Sequence, residues 1–164
     1  MTTLPNFRFL LSHPAHFIAL GFGSGLSPKA PGTAGTVIGI PLFLLLSQTP
    51  ESTHYLLLAF LFLIGIPICT IAGNDLGVAD HGSIVWDEIV AMMLVLECCP
   101  HNWTWWLIAF LLFRLYDIWK PFPIRQVDAK VKAGFGVMLD DLLAAVYSII
   151  SIKGLLWMMS AYSN

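Results

Sequence analysis

Charge is what this sequence has least of. Only 11% of its 164 residues are Asp, Glu, Lys or Arg, whereas 57% are hydrophobic and the mean hydropathy is +0.78. A soluble domain carries about 25% charged residues, so there are too few charges here to cover a water-exposed surface. The same hydrophobicity argues against disorder. A net charge of -2 and the lack of any long basic run argue against a nucleic-acid partner. Cysteine is also scarce. Cys69 sits in an apolar run and Cys98 and Cys99 are adjacent, which suits packing and not a disulfide framework. A clean signal peptide is missing too: Arg8 precedes apolar residues, but Pro14 and His16 interrupt them. Residues 1–22 read as a short surface helix or anchor. No internal repeat or low-complexity tract divides the chain, so residues 1–164 form one domain. The fold class that remains is all-α: a small polytopic membrane helical bundle.

The gaps between charges outline that bundle. No charge occurs between Lys29 and Glu51, between Glu51 and Asp75, between Glu88 and Glu97, between Glu97 and Arg114, or between Asp141 and Lys153. A bilayer core needs about 20 apolar helical residues. Tyr55 to Ala72 fits well, Leu142 to Tyr162 fits if Lys153 snorkels, and Thr33 to Thr49 is slightly short. Between Ile89 and Phe113, Pro100, His101 and Asn102 read as the turn of a hairpin of two shorter helices. Trp103, Trp105 and Trp106 beside it suit a membrane interface. By parity, the segment before Thr33, the loop 73–88 and the loop 114–141 then share one face. Every Lys and Arg except Lys153 falls there, which makes that face cytoplasmic by the positive-inside rule. Asp75, Asp80, Asp87, Glu88, Asp117, Asp128, Asp140 and Asp141 fall there as well, leaving only Glu51 and Glu97 opposite. The positive-inside rule does not require acids to gather. Either these are solvated loops, or the face carries a polar site at the membrane surface.

Four segments on that face can carry chemistry. The first, Gly21-Phe-Gly-Ser-Gly-Leu-Ser-Pro-Lys-Ala-Pro-Gly-Thr-Ala-Gly-Thr36, is glycine-rich, with Lys29 as a point charge and Thr33 placed to cap the next helix. It reads equally as a phosphate-binding loop or a flexible connector, and it is not a Walker A loop. In the second, Asp80-His-Gly-Ser-Ile-Val-Trp-Asp-Glu88, Asp87 and Glu88 open an apolar helix. Acids there either complement the helix dipole or serve a metal and a water. His81 reads as a loop residue. In the third, Phe113-Arg-Leu-Tyr-Asp-Ile-Trp-Lys-Pro-Phe-Pro-Ile-Arg125, Asp117 opposes a helix C-terminal dipole. Arg114 at i-3 or a divalent ion would offset it. Lys120 before Pro121 marks a helix stop. Beyond it, Ile124, Val127 and Val131 form an apolar stripe, with Arg125, Lys130 and Lys132 at other positions, as in a short interfacial helix. In the fourth, Gly134-Phe-Gly-Val-Met-Leu-Asp-Asp141, paired aspartates precede an apolar span. They are dipole partners or oxygen ligands of the kind Mg²⁺ takes. If the loops share one face, Asp87, Glu88, Asp117, Asp140 and Asp141 should approach one another.

In this order the four segments, through GFGSGLSP, PGT, DHGSIVWDE, FRLYDIWKPFPIR and GFGVMLDD, resemble the phosphatidylglycerophosphatase A family of bacterial lipid phosphatases. The resemblance runs from about Asn6 to Tyr147. It implies an Mg²⁺-dependent enzyme of the bacterial inner membrane, its site toward the cytoplasm. Its substrate would be phosphatidylglycerophosphate in the bilayer, dephosphorylated to phosphatidylglycerol. Carried over by position, the acidic pattern falls on Asp80, Asp87, Glu88, Asp117, Asp140 and Asp141. The basic and loop positions fall on Lys120, Arg125, Ser24, Pro31, Gly32 and Thr33, and Lys29 and Arg114 are further cations for a substrate with two phosphates. The sequence has no Asp-x-Asp-x-Thr nucleophile, no Cys-x5-Arg loop and no Lys-x6-Arg-Pro motif with paired histidines, which favours metal-activated water over a covalent enzyme intermediate. The competing reading from another class is a cation transporter or channel with an acidic cytoplasmic mouth. A transporter would place ionisable groups near the midplane, where this sequence offers only Glu97 and Lys153.

Overall fold

Eight α-helices and one 3-10 segment make up the computed structural model, which describes residues 4–131 and 133–162 and has no strand among them. The helices are α1 (Phe7–Ser12), α2 (Pro14–Ala19), α3 (Pro31–Leu46), α4 (Glu51–Leu76), α5 (Trp86–Glu97), α6 (Trp103–Trp119), α7 (Ile124–Lys130) and α8 (Ala133–Tyr162), with the 3-10 segment Gly21–Leu26 after α2. Local chemistry sets the boundaries. The Asn6 side chain accepts from the Phe9 amide to open α1, and Asn102 accepts from the Trp105 amide to open α6. Gly77 closes α4 in the left-handed conformation, with φ of 77°. The turn expected at Pro100–Asn102 separates α5 from α6, and α6 stops at Lys120, one residue before Pro121.

Helix α5 is the centre of the bundle. Nearly all of its residues are buried, including Ile89, Met92, Val95 and Leu96, so it is hydrophobic all round. It packs on α3, α4, α6 and α8. Helices α4 and α8 rise about 39 and 45 Å at 1.5 Å per residue. Both are long and apolar enough to cross a membrane. Only 28% and 22% of their most apolar windows are buried within the protein, unlike the core helices of a soluble fold. Leu56, Phe60 and Leu63 on α4, Leu107 and Leu111 on α6, and Ile150 and Trp157 on α8 are exposed apolar side chains. A surface of this kind fits membrane association. Helices α4 and α6 end, and α3, α5 and α8 begin, at the same end of the bundle.

Five local expectations are revised. Helix α8 starts at Ala133, so Asp140 and Asp141 lie inside the helix, well past the N-terminal turn where a carboxylate meets the dipole. The glycine-rich stretch is helical because Gly134 fits where a Cβ would collide with the Ile66 carbonyl, while its amide donates to Thr70 Oγ1 at 3.1 Å. Thr33 does not cap α3: Pro31 is its first residue and Ala30 precedes it in the left-handed conformation without a side-chain cap. The stripe on α7 turns inward, with Ile124 fully buried and the helix packed on α8, so the core uses the apolar face assigned to lipid; Lys132 lies outside the described residues. The N-terminal segment is built in as well. Leu10, Ala15, His16 and Ala19 are buried, and His16 Nε2 lies 2.7 Å from Asp75 Oδ2 on α4. Of the tryptophans expected at an interface, Trp103 is exposed, but Trp106 is buried against Phe43.

Candidate active site

Asp87 and Glu88 stand in the first turn of α5, ahead of its apolar body, and Asp141 projects from α8 toward them. One oxygen from each of these carboxylates lies within 4.8 Å of the others. Asp87 and Asp141 are 7% and 3% exposed. Asp87 Oδ1, Glu88 Oε2, Asp140 Oδ1 and Asp141 Oδ2 are buried without a hydrogen-bond partner. A buried polar atom left this way costs about 1–3 kcal/mol, and more when charged. Burial, and then the neighbouring Glu88 charge, push the Asp87 carboxyl well above the usual carboxylate range. Burial also raises Glu88, followed by Asp141 and Asp117, against the pull of Arg114. Asp117 and Asp141 stand close enough for a side-chain hydrogen bond.

Two cations brace this cluster. Arg114 Nη1 lies 2.6 Å from Asp117 Oδ2 and 3.5 Å from Glu88 Oε1. It also donates to Thr36 Oγ1 at 3.3 Å. The i-3 pairing of Arg114 with Asp117 is thus present, and the same guanidinium reaches α5. Thr36 donates in turn to the Gly32 carbonyl at 2.8 Å. Gly32 belongs here because a Cβ at this position would collide with Glu88 Oε1 and crowd Arg114. Lys120 Nζ lies 2.6 Å from Asp140 Oδ2 and 3.2 Å from Asp128 Oδ2. Burial works against its charge, but the hydrogen bond to Asp140 and the Asp140 and Asp128 charges outweigh that and raise the ammonium above its ordinary value. Lys120 has a φ of 46°, a conformation that costs a non-glycine residue about 1–3 kcal/mol and aims the side chain back across the bundle end.

The other expected site residues lie farther out. Asp80 is exposed at the rim, where its charge acts on Asp87 and Asp140. Arg125 is exposed in a cleft shared with Arg114, Lys120 and Asp128. Ser24, Lys29 and Thr33 gather on a separate shallow surface with Val37 that none of the carboxylates lines, and the Ser24 hydroxyl donates to the Gly21 carbonyl. Gly21–Leu26, in the segment before α3, form a wound 3-10 turn, with Phe22 and Gly23 at positive φ. His81 accepts from the Ser83 amide at 3.2 Å, as a loop residue does. Thr36 and Asp128 were not singled out from the sequence. Thr36 follows Gly32 by one helical turn, and that spacing was the available signal.

Five carboxylates, Asp87, Glu88, Asp117, Asp140 and Asp141, thus meet two cations, with unpartnered oxygens converging from α5 and α8. This excess of hard oxygen donors fits a divalent cation. The chain is 46% identical over 161 residues to the phosphatidylglycerophosphatase A of Haemophilus influenzae, covering 94% of this chain and 97% of that protein. It is 43% identical over 155 residues to the phosphatidylglycerophosphatase A of Escherichia coli, covering 90% of each. No solved structure matches it. The sequence pattern of phosphatidylglycerophosphatase A matches residues 17–156, taking in every helix that contributes to the carboxylate cluster, and the chain belongs to the phosphatidylglycerophosphatase A family.

Proposed function

We propose that this protein hydrolyses the terminal phosphomonoester of phosphatidylglycerophosphate, releasing phosphatidylglycerol and inorganic phosphate at the cytoplasmic face of the bacterial inner membrane. The observation that carries the reading is that Asp87, Glu88 and Asp141 each place a carboxylate oxygen within 4.8 Å of the others and each keep a buried oxygen without a partner, in a member of this family. Helices α4 and α8 cross the bilayer, α3 and the α5–α6 hairpin complete the polytopic bundle, and the site lies at the end that carries the basic loops.

In this proposal Asp87, Glu88 and Asp141 hold Mg²⁺, with Asp80, Asp117 and Asp140 around them. Bound there, the ion would neutralise phosphate charge and make water a better nucleophile. Arg114 holds Glu88 and Asp117 in place, and its unpartnered Nε remains a donor for a phosphate oxygen. Lys120 offers its ammonium to the charge that develops on the phosphoryl group. Asp140 has Oδ2 on Lys120 and Oδ1 without a partner, so Oδ1 can accept the proton of the attacking water. Water adds to phosphorus as the bond to the glycerol oxygen breaks, that oxygen takes a proton from solvent, and Asp140 afterwards gives its own proton back to solvent. An acidic channel mouth is the weaker account of these charges. Glu97 closes α5 at the opposite end, held 3.0 Å from His54, and Lys153 is exposed.

The test is phosphate release from phosphatidylglycerophosphate by the purified protein in mixed micelles. Turnover that stops with EDTA and returns with Mg²⁺ is expected. A protein that releases no phosphate from this lipid overturns the reading, and EDTA-insensitive turnover overturns the metal assignment alone.

A further inference from the structure

Two hollows adjoin the site, one lined in part by a carboxylate of the cluster and the other by the two cations that pair with it. One, of about 350 Å³, lies between α4, α5 and α8; it is lined by Leu58, Phe62, Val90 and Leu94 and reaches Asp87 without meeting a cation. The other, of about 850 Å³, lies along α6 and the start of α7 and contains Arg114, Lys120 and Arg125. Arg114 pairs with Asp117 and Glu88, and Lys120 with Asp140 and Asp128, and both are assigned above to the terminal phosphate. Arg125 is exposed and makes no ion pair among the described residues.

The apolar surface beside Arg125 has a regular form. Leu107, Leu111, Leu115 and Ile118 recur every three or four residues along the outer face of α6, each more than half exposed. From Leu107 to Ile118 the helix rises about 16 Å, close to half of a hydrocarbon core about 30 Å thick. The stripe ends at Trp119, 68% exposed, beside Lys120 and Arg125. An apolar face one leaflet deep that ends on an aromatic and free positive charge matches one phospholipid molecule: chains, then interface, then an inner phosphate.

We infer that the substrate approaches on the α6–α7 side, with its diester phosphate on Arg125 and its acyl chains along Leu107, Leu111, Leu115 and Ile118, so that the terminal phosphate reaches the carboxylate cluster past Lys120. This rests on the lipid phosphatase reading above. The α4–α5–α8 hollow is the losing alternative, because an anionic diester placed there would face Asp87 with no cation in the lining. Arg125 acts on binding and not on the reacting atoms.

Two measurements decide it. In the first, Arg125→Gln is compared with wild type on phosphatidylglycerophosphate and on p-nitrophenyl phosphate, which lacks a diester. Loss of a charge-assisted contact raises the KM for the lipid by about tenfold or more, with kcat within a few-fold and the soluble ester cleaved as before. Arg125→Lys recovers part of the KM. Ala59→Phe, which narrows the α4–α5–α8 hollow from an exposed position, leaves both substrates unaffected. In the second, a lipid analogue with a photoreactive acyl chain is cross-linked to the protein and the labelled peptide identified. Label on residues 107–118 is expected. An unchanged lipid KM in Arg125→Gln, or label on α4 and α5 near Leu58 and Leu94, overturns the inference. Cross-linking needs no turnover. Label on α6 in a protein that releases no phosphate would leave the lipid face standing and remove the phosphatase reading.

Discussion

The two ends of the helical bundle treat their buried carboxylates in opposite ways. Glu97, at the end of α5, is 10% exposed and lies 3.0 Å from His54 Nδ1, while His54 Nε2 bonds the Thr49 carbonyl at 3.0 Å. Ten and nine positions along the same 12-residue helix separate that closed arrangement from Asp87 and Glu88, whose oxygens include some with no partner. Burial is comparable at both ends, so burial does not separate a structural acid from a functional one. The difference is whether the chain supplies the partner itself. At the His54 end it does. At the other it gathers five carboxylates around two cations and leaves the remainder to a ligand.

Substitutions at the two ends should therefore fail differently. The largest effect is expected from Asp141→Asn: turnover falls about a thousandfold, corresponding to about 4 kcal/mol, and the thermal stabilisation by Mg²⁺ disappears. Asp140→Asn should abolish turnover comparably while keeping the Mg²⁺ stabilisation, because Asp140 lies outside the closest group of oxygens. If both variants keep or both lose that stabilisation, the division between metal ligand and proton acceptor is wrong. Lys120→Ala should slow turnover about a hundredfold, as expected for losing a donor at developing charge. Lys130→Ala, exposed on α7, should change it by less than about 1 kcal/mol. Equal effects of the two lysines would remove Lys120 from the site. At the opposite end, His54→Ala leaves Glu97 buried and unpaired, destabilising the fold by about 3 kcal/mol with activity per folded molecule unchanged.

A pH series sharpens the same contrast. Asp87 and Glu88 titrate above the ordinary carboxylate range when no metal is bound. Over the interval between the ordinary and the raised values, the metal-free folded state holds protons that the unfolded chain has released. Its stability falls as pH rises across that interval. On the proposed assignment Mg²⁺ competes with those protons, so the gain in Tm on adding Mg²⁺ should grow with pH. A gain independent of pH would mean that these two carboxylates do not bind the ion.

The sequence made the long elements legible because charge is costly in a bilayer: the gaps around Tyr55–Ala72 and Leu142–Tyr162 fall inside α4 and α8. The same gaps and the Pro100–Asn102 turn put Asp87, Glu88, Asp117, Asp140 and Asp141 at one end. What it did not disclose was decided by contacts across the bundle. Gly134 looks like a loop residue until the Ile66 carbonyl demands its place in a helix. The stripe containing Ile124 has the spacing of a lipid-facing helix, yet α8 takes it. Ser24 and Lys29 are near in sequence to Gly32, but only Gly32 meets the carboxylates. Nothing local links His54 to Glu97.

Gly32 has a bearing on how members of this family are judged active or degenerate from sequence. A methyl group there would strike Glu88 Oε1, the far end of a side chain that can swing aside. The helix would survive, every acid and base would still be present, and the protein would fold and insert. The Glu88 carboxylate would nonetheless be displaced from Arg114 and, with it, from Asp87 and Asp141. A chain can therefore retain the whole ionisable inventory and be silent through one added carbon, and an intact set of charges is no certificate of catalysis without the glycine that faces it.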